Sequence, residues 1–201
     1  YTTTASGTTS TAMGSHNNAN GDYSTAMGWY AKASGLISTA MGAQTTASGQ
    51  TSTAMGSTTT ASGTNSTAIG SGTTASGNTS TAMGNETTAS GDFSTAMGNH
   101  TTASAYFSTA LGASTIASGR YSTAMGISSI ASDFASTVIG QYNLSGSTAT
   151  SAINYSELAP AFVIGNGSPN TKSDAFSVLF NGNTTIGGSL TLNGTEITAT
   201  G

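Results

Sequence analysis

Small, polar and apolar side chains alternate along this chain in five-residue runs that close on glycine. One run reads Ser-Thr-Ala-Met-Gly, as at Ser52 to Gly56, and the other Thr-Thr-Ala-Ser-Gly, as at Thr45 to Gly49; two variable residues separate consecutive runs. Alternating size, a terminal Gly and a two-residue link predict a short strand followed by a tight corner. The two runs take turns, so the unit is fourteen residues long. Its marker glycines are Gly14, Gly28, Gly42, Gly56, Gly70, Gly84, Gly98, Gly112, Gly126 and Gly140, ten units without a miss. A second glycine column runs half a period out of phase from Gly7 to Gly119, interrupted by Ala105 and replaced by Asp133. Fourteen is also two heptads, but two Gly per unit would cost a helix about 2 kcal/mol relative to Ala. The pattern therefore predicts an all-β parallel β-solenoid built of 14-residue coils.

Period-2 alternation sorts the side chains by face. Ser52, Ala54 and Gly56 share one side of their strand, and Thr53 and Met55 the other; in the partner run Thr45, Ala47 and Gly49 oppose Thr46 and Ser48. The uniformly small side is expected to point inward, because so short a coil leaves an interior too thin for more than Ala, Ser or Thr. Ten coils at the strand spacing would make a rod roughly 48 Å long, held by backbone ladders more than by a hydrophobic core. Outside, Met13, Met27, Met41, Met55, Ile69, Met83, Met97, Leu111, Met125 and Ile139 form one apolar stripe. A continuous stripe of this kind marks an interface and should be buried against copies of the same chain. The opposite face, Thr and Ser, should meet solvent.

Composition narrows the function. Charged residues are only 5% of the 201 and the net charge is −4, about a fifth of the usual charged fraction. The large aliphatics of an ordinary enzyme core are missing as well. Three cations, Lys32, Arg120 and Lys172, cannot neutralise a run of phosphates, so neither nucleic acid nor an anionic membrane is an expected partner. No membrane contact is expected within the chain. The absence of Cys removes disulfides and thiolate metal sites without fixing a compartment. Starting at Tyr1 inside a repeat, the sequence reads as part of a longer polypeptide.

The cycle Ser66, Ala68, Gly70, Thr73, Ala75, Gly77 resembles the head repeat of YadA-like trimeric autotransporter adhesins, and the likeness covers about 140 residues. The resemblance implies a left-handed parallel β-roll, three chains side by side as a homotrimer with the apolar residues on the three-fold axis, and exposure on a bacterial cell surface. Handedness and the number three belong to the resemblance. Periodicity alone yields a solenoid with an apolar seam.

The period breaks after Gly140, dividing the chain into a ten-unit repeat at 1–140 and an irregular C-terminal β cap or neck at 141–201. Strands are expected at Ala175 to Phe180 and Gly188 to Leu192, with a turn at Asn181-Gly182-Asn183. Phe162, Phe176, Val178 and Phe180 are placed beneath the last coil as a cap, or in an intertwined neck. The segment from Phe162 to Ile186 resembles the region preceding an endosialidase-type chaperone in tail-fibre-like and bacterial surface proteins. The cleavage machinery of that chaperone is not in this sequence.

Little here points to chemistry. His16 and His100 fill the same slot six units apart, roughly 29 Å along the rod, and cannot share a metal within one chain. Asp22, Asp92 and Asp133 are read as turn formers that start corners. There is no carboxylate pair, Ser-His-Asp set or phosphate loop, so no catalytic residue, metal or cofactor is assigned. Glycines that follow the corner period are not a nucleotide fingerprint.

The variable corner positions hold the candidates for recognition. One corner carries Tyr23, Leu36, Ile37, Phe93, Tyr106, Phe107, Tyr121 and Phe134, and the other Trp29, Tyr30 and Ile127. These rings either pack over the corners or against a neighbouring chain, or present an aromatic surface to a carbohydrate or protein ligand. The candidate ligand-binding edge comprises Tyr23, Trp29, Tyr30, Phe93, Phe107 and Tyr121. The expected function is that of a non-enzymatic, extracellular, trimeric attachment protein. Alternatives are a bacteriophage-type tail-fibre segment and an ice-binding Thr array, the latter opposed by Asn18, Lys32, Ile116 and Ile130 within the Thr column.

Overall fold

The computed structural model describes residues 2–192 and 195–197. Among these there is no helix, and each fourteen-residue unit forms one coil of a parallel β-solenoid. A coil contains a five-residue strand such as Thr53–Ser57 and a two-residue strand such as Thr60–Ala61. Like strands stack on like, in register: Thr53 lies opposite Thr67, Ala54 opposite Ala68, Met55 opposite Ile69 and Gly56 opposite Gly70. Ten short strands make one sheet, and the long strands make the other.

The two runs look equivalent in the sequence, yet one gives a much shorter strand. After Ala47, the amides of Ser48 and Gly49 both donate to the carbonyl of Ala61, at 2.9 and 3.3 Å. Two donors converging on one acceptor bend the backbone out of the ladder, and the strand ends there.

The interior is as thin as the alternation implies. Ala47, Ala54, Ala61 and Ala68 are fully buried, as are Thr45 and Ser52, and the largest buried apolar side chains are Val138 and Val163. Gly49 is buried too. The glycine column of Gly56 differs from expectation: it does not line the interior with Ser52 and Ala54 but is exposed, as at Gly56, or half-buried, as at Gly70. A Cβ at Gly56 would lie 2.0 Å from the carbonyl oxygen of Gly70, and its φ is +122°. Close approach of stacked coils, rather than a narrow interior, is what requires glycine there.

At each corner the second residue adopts a left-handed backbone whatever its side chain: φ is 56° at Thr51, 53° at Thr58 and 57° at Ile37. β-Branched residues resist this conformation by roughly 1–2 kcal/mol. The compensation is a hydrogen bond to the preceding coil, Thr51 N–H to Leu36 C=O and Thr58 N–H to Ala43 C=O, both at 2.8 Å. The strand amide of Thr53 donates the other way, to Ser66 C=O at 2.9 Å. Each coil is clamped from both sides.

The aspartates act differently from the turn formers expected. At the corners of Asp22 and Asp92 the positive φ falls on the following Tyr23 and Phe93, each at 58°. The aspartate instead caps the preceding coil: Asp22 Oδ1 accepts the Thr8 amide at 2.7 Å, and Asp92 Oδ1 the Asn78 amide at 2.8 Å. Asp133 starts no corner. It is fully buried in the glycine column, where its Oδ1 accepts the amides of Thr150 and Ser151 at 2.6 and 2.7 Å. A side chain fits there because the short sheet stops at Ile130–Ala131. The side chain of Asn143 takes the place of the next strand: its Oδ1 accepts from Ile130 N–H at 2.7 Å and its Nδ2 donates to Ile130 C=O at 3.0 Å.

On the long face the stack continues beyond Gly140. Strand Pro160–Asn166 adds in parallel to Thr137–Gln141, matching Phe162 to Thr137, Val163 to Val138, Ile164 to Ile139 and Gly165 to Gly140. The chain then reverses, and Asp174–Leu179 and Thr184–Ile186 extend the sheet antiparallel. The expected turn joins them, with Gly182 at φ +87° and Leu179 N–H donating to Asn183 C=O at 2.9 Å. The strand expected from Gly188 starts at Leu190 and pairs with Thr195–Ile197. Phe162 and Phe176 meet at 6.3 Å across neighbouring strands, while Phe180 packs edge-on against Tyr155 at 5.2 Å.

Candidate functional site

Strand register aligns Met13, Met27, Met41, Met55, Ile69, Met83, Met97, Leu111, Met125 and Ile139 one above another, and Ile164 prolongs the row. Each points away from the alanine core. In the single chain Met13 is 55% exposed, and the stripe is half-buried along most of its length. Eleven stacked apolar side chains in water are a contiguous patch of the interface type. The continuation at Ile164 was readable in principle, since Phe-Val-Ile-Gly-Asn at 162–166 echoes Thr-Val-Ile-Gly-Gln at 137–141. The insertion between the two runs breaks the fourteen-residue period.

The six candidate aromatic residues do not form one surface. Trp29 and Tyr30 lie at the corner after the long strand: Tyr30 stacks on His16 with centroids 4.5 Å apart, and Trp29 meets Tyr30 edge-on at 4.8 Å. At the other corner Phe93 stacks on Phe107 at 4.7 Å and 7°, and Phe107 on Tyr121 at 5.6 Å and 13°. Tyr106 lies edge-on to all three, and the Arg120 guanidinium sits 5.2 Å from its ring centroid. The inner faces of this column are thus spent on one another. Tyr23 shares that corner five coils away and meets no other ring among the described residues.

His100 sits 3.0 Å from Glu86 in the neighbouring coil, and His16 stays with Ser15, whose Oγ is 2.9 Å from His16 Nδ1. Among the described residues no three of His, Cys, Asp and Glu gather as a metal cluster, and the surface is without an enclosed pocket. The geometry that this molecule presents is that of long faces and corners.

The model of the YadA head domain repeat (2 copies) matches residues 5–31, 33–59, 47–73, 61–87, 75–101, 89–115 and 117–143. The chain belongs to the YadA head repeat family. Each match spans about two coils, the length over which a coil meets its neighbour in the ladder. YadA heads are adhesin domains of bacterial surface proteins, trimeric in the family and not an enzyme family. The matched region ends at 143 and does not reach Phe162 to Ile186, the segment likened to the approach to a chaperone. No curated protein matches the chain.

Proposed function

We propose that this chain is a non-enzymatic, homotrimeric adhesin head, displayed outside a bacterial cell and attaching it to a host or abiotic surface. The apolar row from Met13 to Ile164 carries the reading: in a YadA head repeat, a straight apolar stripe outside the solenoid calls for burial, and three copies facing one axis would bury all three. Ala and Thr in the thin interior then hold each coil flat so that the stripe stays straight. The corners remain outside the seam and are available to ligand.

Met55→Asp combined with Met83→Asp sets unpaired carboxylates in a dry seam, where burial of a lone charge is strongly unfavourable. Coated on beads, the parent chain should attach to a ligand-bearing cell surface and the double variant should not. Attachment undiminished in the variant would overturn the reading.

A further inference from the structure

Two corners of the solenoid share one constellation. Gly-Asp-Tyr-Ser-Thr-Ala-Met-Gly at 21–28 and Gly-Asp-Phe-Ser-Thr-Ala-Met-Gly at 91–98 differ in a single residue. In each, Asp Oδ1 accepts the backbone amide of the preceding coil, Thr8 or Asn78; Asp92 Oδ1 also accepts the Asn78 side-chain amide at 3.2 Å and Asp92 is half-buried, whereas Asp22 is exposed. The neighbouring ring is fixed by its own amide, Tyr23 N–H to Thr8 C=O at 2.7 Å and Phe93 N–H to Asn78 C=O at 2.8 Å. The rings are 58% and 43% exposed. Toward the C-terminal end of the rod each is followed by a large apolar residue at the same corner position, Ile37 or Phe107, and toward the N-terminal end by a small one, Thr9 or Thr79. Phe93 is backed by Phe107 at 4.7 Å, with Tyr106 edge-on to it, and in both constellations the neighbour toward the N-terminal end is a threonine too small to cover a ring.

We infer that Asp22–Tyr23 and Asp92–Phe93 are two binding sites for arginine side chains of a basic protein ligand. A guanidinium is planar, stacks on aromatic faces and pairs with a carboxylate through parallel hydrogen bonds, so a ring beside a carboxylate presents both of its complementary groups. The molecule supplies its own precedent: the Arg120 guanidinium lies over the Tyr106 ring at 5.2 Å on this same corner. Charge agrees, since the chain carries −4 overall and neither constellation has a Lys or Arg in its own or its preceding corner. The sites lie five coils apart, about 24 Å at the strand spacing. An extended peptide covers that distance in about seven residues. This inference rests on the attachment reading and specifies its ligand.

The test uses the full chain and two acetylated, amidated peptides, one with a single arginine and one with two arginines seven residues apart. Binding is followed through the ring resonances of Tyr23 and Phe93. The two-arginine peptide should bind at least about tenfold more tightly than the single, by raised effective concentration. Its affinity should fall at least about tenfold in Asp22→Asn with Asp92→Asn, and should weaken as salt is raised. These variants keep the fold, because Asn78 already serves at this corner position, accepting the Thr64 amide at 3.3 Å. Equal affinity for both peptides, binding indifferent to the Asn variants, or preference for a neutral methyl hexoside would overturn the inference. Bead attachment that persists in the Asn variants would overturn it while leaving the adhesin reading intact.

Discussion

Six threonines, Thr45, Thr59, Thr73, Thr87, Thr101 and Thr115, stack through consecutive coils at zero exposure, and each Oγ1 is without a hydrogen-bond partner. A buried hydroxyl left unsatisfied costs about 1–3 kcal/mol. Thr73→Val keeps the shape and the strand preference while removing the hydroxyl, so it should stabilise the coil by about 1 kcal/mol. For a chain of this size that corresponds to a rise in Tm of roughly 2–4 °C. Ser52→Ala is the matched control: Ser52 Oγ donates to Gly49 C=O at 2.7 Å, and losing a satisfied bond should destabilise by about 1 kcal/mol. Thermal unfolding followed by circular dichroism at fixed chain concentration reads both. A Thr73→Val chain that melts several degrees lower than the parent would refute the reasoning, since the column would then be hydrogen-bonded rather than dry.

Gly56→Ala places a methyl 2.0 Å from the Gly70 carbonyl at a φ of +122°, which should cost at least about 2–3 kcal/mol, seen as a lower midpoint in urea. Ala61→Leu adds three heavy atoms at a fully buried position and should lower Tm by an overpacking penalty of about 1–3 kcal/mol.

Period carried most of the fold into the sequence. Ala47, Ala54 and Met55 sort onto the inner and outer faces by alternation alone, because the faces of a strand differ every second residue. The corners did not follow local rules. Ile37 and Thr51 are poor left-handed residues by preference, and only the hydrogen bonds between stacked coils, absent from any single unit, place them there. Gly56 departs from alternation for a related reason: its φ of +122° is not that of an extended strand, and the close approach of Gly70 in the next coil, which requires it, is absent from any single unit. Asp133 and Asn143 became legible only once the end of the short sheet was seen, since their partners are Thr150, Ser151 and Ile130 rather than repeat positions. The aromatic residues are legible by type, whereas their division into the Phe93–Phe107–Tyr121 column, the Trp29–Tyr30–His16 cluster and Tyr23 depends on which large side chains stack in adjacent coils.

In the proposed assembly the stripe from Met13 to Ile164 is a seam between three copies. Sedimentation velocity of the full chain at micromolar concentration tests it directly, with the Met55→Asp, Met83→Asp chain run alongside. The parent should sediment at three times the 19.6 kDa chain mass and the double variant as single chains. A parent that sediments as a soluble monomer, its apolar stripe intact and open to water, would contradict the account.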